Sequence, residues 1–191
     1  MRVKLMATLA LLAATSAPHP ALAAPREEAI KGAEAMIREL GGELKNDLTA
    51  AMEAGGPAQA IQVCVSVGQE KAVAVAARHP GRIHRVSLKL RNRENRPNEL
   101  ERRLLENMEA DNAVGNLQPT YTVPFSEKGD EYLLVMKPIV TAPVCLSCHG
   151  TAATLHPDAV APLAEHYPDD EATGYEVGQV RGAFSVAYPL N

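Results

Sequence analysis

Two of the three cysteines in this chain stand three positions apart, and a histidine follows the second directly, in Cys145-Leu146-Ser147-Cys148-His149. Three thiols cannot all pair with one another, and two thiols this close in sequence are too cramped for an ordinary structural disulfide. The spacing fits a different chemistry. Two thiols add across the two vinyl groups of a haem, and the adjacent histidine lies beneath the iron as its proximal ligand. A fold built on such a segment must leave room for one covalent haem c beside the turn, and it must decide what stands on the other side of the iron. The chain has no Trp and only two Phe, so its core is aliphatic unless something else supplies aromatic bulk, as a buried porphyrin would.

Two rival readings of the segment fit less well. A thioredoxin-type pair expects a strand-to-helix setting in a βαβ pattern, which is not found here. A zinc site needs two Cys-x-x-Cys pairs, or one pair with a distant His pair, and neither is evident.

Met1 to Ala23 reads as a secretory signal peptide. Arg2 and Lys4 supply the positive start, Leu5 to Ala14 a short apolar run, and Ala21-Leu22-Ala23 a small-x-small cleavage site. The run is too short to span a bilayer, and no later stretch is apolar enough to do so. The expected product is therefore soluble and periplasmic, a setting that suits a covalently held cofactor. Loss of Arg2 and Lys4 leaves 17 basic against 23 acidic residues, a net charge of −6, which argues against nucleic acid as a partner. The domain reading is a signal peptide over 1–23, an amphipathic helix over 24–56, and a haem domain over 57–191.

Ile30, Ala33, Ile37, Leu40, Leu44, Leu48 and Met52 form a nearly heptad apolar stripe that predicts one long helix over 26–54. Gly41-Gly42 weakens it by about 1 kcal/mol per glycine and admits a bend, and Gly55-Gly56-Pro57 ends it. A second helix is predicted from Ala58 to Ala77, with Cys64 on its apolar face and pointing inward. Arg85 to Arg91 alternates like a strand, with Arg85, Lys89 and Arg91 on one basic side. Asn98 caps a short helix to Met108. Strands follow at Thr120–Phe125 and Tyr132–Val140, and a last one carries Phe184, Val186 and Tyr188. Between the cysteine pair and that last strand lies an acidic, helical insertion. The fold class is α+β with an antiparallel sheet.

The sixth position on the iron has several candidates. Cys64 is the odd cysteine, and from the residues alone it is either a small hydrophobe filling the core or an iron ligand. Met136 and Met108 fit core positions better than ligation. His79, His156 and His166 lie in polar segments next to or near prolines, and His84 could face either way. Arg85, Lys89 and Arg91 are candidate contacts for the haem propionates, with a solvated strand face as the plainer reading.

Several short stretches in fixed order resemble one family: Ala60-Ile61-Gln62-Val63-Cys64, Arg85-Val86-Ser87-Leu88-Lys89-Leu90-Arg91-Asn92, Asn95-Arg96-Pro97, Cys145 to Gly150, and Tyr167 to Tyr175 before Gly182. This is the PAS-like single-haem family, catalogued as a domain of unknown function, which occurs alone in the periplasm or as the extracytoplasmic sensor part of signalling proteins. The resemblance runs from about residue 28 to 188. It implies a PAS-like antiparallel sheet with long N-terminal helices and one covalent haem, and it implies Cys64 as the axial ligand opposite His149. Arg93 stands where the family often has Pro.

The expected function is a haem-based redox or small-gas sensor, with His149 and Cys64 on the iron. The alternative is a small low-potential electron-transfer cytochrome. An enzyme such as a peroxidase would need a distal acid–base pair, and none stands out. With no output module, the chain would act through a diatomic gas ligand, a redox partner protein, or a homodimer formed through its N-terminal helix.

Overall fold

A computed structural model describes residues 20–190, with side chains from Pro25 onward. Most of the segment read as a signal peptide, residues 1–19, lies outside the described residues. Among the described residues no helix is long and apolar enough to cross a membrane.

The two predicted N-terminal helices form one kinked helix, α1, Pro20–Ala76. Helical dihedrals fail only at Gly55 and Gly56, where Gly56 takes φ 65° and ψ −158°. That conformation is open to glycine and costly for residues with a Cβ. Pro57 then starts the second arm, its fixed φ suiting the first helical turn. The arms lie antiparallel. Lys71 Nζ reaches Glu43 at 3.5 Å and Asp47 at 3.0 Å, while Arg78 and His79 both reach Glu39 at 2.6 Å. Such partly exposed pairs add only about 0.2–1 kcal/mol each. They specify which faces meet more than they hold the arms together.

Gly41-Gly42 does not break the helix. Helical dihedrals continue through it, and a Cβ on Gly41 would lie 3.3 Å from the Phe184 ring, so the glycine serves as a close-approach point for the sheet.

Strand β1 (Arg82–Val86) is followed by α2 (Glu99–Ala113), β2 (Tyr121–Glu127) and β3 (Asp130–Val140). Then come a four-residue turn of helix α3 (Leu146–His149), α4 (Pro157–His166) and β4 (Val180–Pro189). The four strands make one antiparallel sheet in the order β1-β4-β3-β2. Asn98 caps α2 through a full capping box with Glu101, and α2 extends beyond the predicted Met108 to Ala113.

The basic strand predicted over Arg85–Arg91 is displaced. Pairing with β4 covers Arg82 to Val86 and stops there. Ser87 breaks the ladder: its Oγ lies 2.8 Å from the carbonyls of both Lys89 and Arg181, and its N–H donates to Asn95 O. The predicted alternation therefore holds only at its start.

One face of the sheet packs on α1, where Ala33, Met36, Ile37 and Leu40 meet Ile83, Leu133, Val135 and Val186. The N-terminal stripe is thus buried against the sheet as far as Leu40. The other face packs on α2, where Leu104, Leu105 and Met108 meet Val86, Leu134, Met136 and Ala183. A smaller cluster joins Ile61 of the second arm to Ala159 and Leu163 of α4. Each large aliphatic side chain buried in these layers contributes about 1.5–3 kcal/mol.

Candidate functional site

Residues of both arms of α1, from Gly41 to Met52 and from Ala60 to Gly68, stand opposite the chain after β3. Between these parts lies a cavity of about 350 Å³ with mainly apolar walls, including Leu44, Leu48, Met52, Ile61, Ile139 and Phe184. Cys64, Cys145, Cys148 and His149 all line it.

Local geometry presents His149. Pro143–Cys145 forms a 3-10 turn that runs directly into α3, so Cys145, Cys148 and His149 project from consecutive turns. His149 Nδ1 lies 2.8 Å from the carbonyl oxygen of Ala172. A carbonyl can only accept, so Nδ1 carries the proton and Nε2 keeps its lone pair. Burial, with the nearby charges of Arg91 and Arg181, pushes the His149 pKa down to about 3. The ring is therefore neutral at pH 7, which is the form that ligates a metal.

Arg91 holds this arrangement. Its Nη2 donates to the carbonyls of Cys148 and Ala172, and Nε and Nη2 reach Asp170 Oδ2 at 3.0 and 2.8 Å. The same Ala172 carbonyl thus accepts from both His149 and Arg91. Asp170 Oδ1 in turn accepts from the Ala172 N–H. One arginine ties residues 170–172 to α3.

Cys64 enters from the second arm of α1. It lines the same cavity, and its residue is exposed there rather than closed into the core. Desolvation by the surrounding protein pushes its thiol pKa up, while Arg85, Arg91 and Arg181 pull the other way. Among the described residues, no three His, Cys, Asp or Glu side chains converge as they would on a bare ion. The sulfurs and the imidazole are spread over a cavity instead.

The other candidate ligands lie elsewhere. Met136 of β3 and Met108 of α2 are fully buried between the sheet and that helix, on the opposite face of the sheet. His84 also faces α2, where its Nε2 sits 2.8 Å from Glu101 Oε1. Strand alternation decides this, because His84 and Arg85 are neighbours and must point to opposite faces. His79 pairs with Glu39, His156 caps α4, and His166 bonds Gln62 at 2.6 Å.

Of the three basic candidates, Arg85 and Arg91 line the cavity and Lys89 does not. Once Ser87 has turned the chain off the sheet, Lys89 donates to Thr173 O and lies 4.7 Å over the Tyr175 ring. Arg181 and Tyr167 also line the cavity, and neither was expected. Alternation counted back three residues from Phe184 would send Arg181 to the other face, so no local pattern pointed to it. Tyr167 sits just after α4, its ring 5.9 Å from the Arg91 guanidinium.

No curated protein matches the chain. Among solved structures it is similar to the crystal structure of the cyanobacterial heme-protein Tll0287, at 24% identity and a TM-score of 0.54, covering 90% of this chain and 96% of that one. At this identity the likeness establishes a shared fold. The family model described as Tll0287-like matches residues 20–189, from the start of α1 to the end of β4, and the chain belongs to the Tll0287-like family.

Proposed function

We propose that this chain is an exported, periplasmic haem protein that acts as a redox or small-gas sensor. In this reading one haem is attached c-type through Cys145 and Cys148, with His149 and Cys64 as axial ligands. The observation that carries the reading is the meeting of Cys64 with Cys145, Cys148 and a neutral, oriented His149 on one apolar cavity. A family relationship to a protein described as a heme-protein supports it. We read the antiparallel sheet with helices on both faces as PAS-like.

A bound haem supplies a one-electron iron couple and a coordination position for which a diatomic can compete. The chain's own residues do the rest. The Ala172 carbonyl fixes the tautomer of His149 and leaves Nε2, which lies 3.5 Å from Arg91 Nη1, with the free lone pair. Arg91 keeps α3 and residues 170–172 in one piece. The apolar side chains from both arms of α1 supply a low-polarity wall. Cys64, a neutral thiol in these surroundings, would lose its proton on ligating the iron, and its reprotonation or displacement would release the second arm, which joins the first at the Gly55-Gly56 kink. That helical hairpin is then the surface a partner reads.

Ferric EPR and optical spectra of the mature protein beside Cys64→Ala test the ligand set. Thiolate character that disappears in the variant supports it, and spectra unchanged by the substitution remove Cys64 from the iron. Exposure of the ferrous protein to CO or NO separates the two functions. A Soret change favours sensing, and a site that stays closed favours the small low-potential electron-transfer cytochrome. Haem that stays with the chain under denaturing conditions, but not in Cys148→Ser, tests covalent attachment.

A further inference from the structure

Two of the three guanidinium groups in the cavity have no counter-charge. Arg91 is committed to Asp170 and to backbone carbonyls. Arg85 and Arg181 make no side-chain hydrogen bond or ion pair among the described residues, and Arg181 Nε is buried without a partner. The one carboxylate lining the cavity, Asp47, lies 3.0 Å from Lys71 Nζ. Arg85 and Arg181 stand on neighbouring antiparallel strands, and Ser87 Oγ ties the two backbones together through the Arg181 carbonyl. Burial and the charge of Arg181 both push the Arg85 pKa down, which is the signature of a cation short of compensation.

Helix α1 is shaped to admit Arg85. A Cβ on Gly68, one turn beyond Cys64, would lie 2.7 Å from Arg85 Nη2. The chain therefore accepts a glycine inside a helix, where alanine is the better former, and the guanidinium occupies the space. Both side chains are half-buried, and half-buried cations without a counter-charge are poorly compensated until a ligand supplies the opposite charge.

We propose that Arg85 and Arg181, reaching the cavity beside Gly68, form a carboxylate-binding subsite that takes the anionic edge of the cavity's ligand. On the haem reading, which this inference extends, that edge is the pair of propionates. The planar forks of two arginines match two carboxylates, each by paired N–H···O bonds.

The test uses a probe that neither Cys64 nor His149 can ligate. Metal-free protoporphyrin IX and its dimethyl ester are titrated by fluorescence into the apoprotein, with succinate as a separate small dicarboxylate. The wild-type chain should bind the diacid at least about tenfold more tightly than the diester, equivalent to about 1.4 kcal/mol. Arg85→Met and Arg181→Met should each erase most of that preference, and the lysine replacements should restore part of it. Arg82→Met, an exposed arginine paired with Glu127, should change nothing. Circular dichroism of each variant verifies its fold. Succinate bound in an arginine-dependent way would keep the subsite and make a free dicarboxylate its source. Equal affinity for diacid and diester, no binding of the diacid, or an undiminished preference in both Met variants overturns the assignment. The haem reading is judged apart, by covalent haem on the mature chain. A chain without covalent haem that still selects the diacid through both arginines retains this subsite and loses that reading.

Discussion

Arg91→Met should destabilise the protein by about 3 kcal/mol. The substitution keeps much of the aliphatic stem and removes the guanidinium, and with it both contacts to Asp170 and the bonds to the carbonyls of Cys148 and Ala172. Breaking a buried ion pair from one side costs about 3–5 kcal/mol, chiefly because the other charge is left unpaired. The side chains of Arg91 and Asp170 are 13% and 10% exposed, so water can partly rescue the orphaned carboxylate, and the lower end of that range applies. In a chain of this size the loss corresponds to a fall in Tm of about 6–12 °C. Urea denaturation followed by circular dichroism measures it, with Asp170→Asn and the double variant completing a cycle. Because Asp170 is stranded only when Arg91 is absent, the double variant should be more stable than the sum of the single losses predicts, by at least about 1 kcal/mol. A loss below about 1 kcal/mol in Arg91→Met, or strict additivity in the cycle, would refute the clamp.

Two further outcomes follow from other parts of the fold. Burial pushes the Glu101 carboxyl up, but bonds from His84, Ser185 and the Asn98 N–H outweigh it, and the net pKa lies below 4.5. Its stabilising contribution is therefore complete above about pH 4.5 and is lost as the pH falls through the depressed folded-state value. Glu101→Gln should cost about 1–2 kcal/mol at pH 7 and converge on the wild type at low pH. A constant gap in denaturation midpoints down to pH 3 would sink that account. Gly68→Ala should gain up to about 1 kcal/mol in helix propensity, since the atom it crowds is the tip of the flexible Arg85 side chain, while lowering the affinity for a porphyrin diacid. Unchanged diacid affinity would mean that Gly68 does not govern where Arg85 reaches.

Local pattern carried much of this molecule. The stripe from Ile30 to Met52, the break at Gly55-Gly56, the Asn98 cap and the β2–β3 hairpin are written in spacings of a few residues, because helix and strand periodicity and turn chemistry act over that range. Where a stronger bond competed, the pattern misled. Ser87 turns the basic strand off the sheet after Val86, and Lys89 leaves the side it appeared to share with Arg85. Gly41-Gly42 looks like a weak point and is instead a contact for Phe184.

The sequence by itself determined the Cys145–His149 segment, since neighbours three and four positions apart need no tertiary help to share a turn. Which groups meet that segment was a tertiary decision. Cys64 is some eighty residues away, on an arm positioned by the Gly56 kink and by packing on α4. Its neighbours Met136 and His84 in the list of candidates were removed from the cavity because side chains alternate across a sheet, and one residue's phase sends His84 to α2 and Arg85 to the cavity. Arg181 joins Arg85 only through the pairing of β1 with β4. Local spacing names the groups that carry chemistry, and the packing of distant elements selects which of them share one cavity.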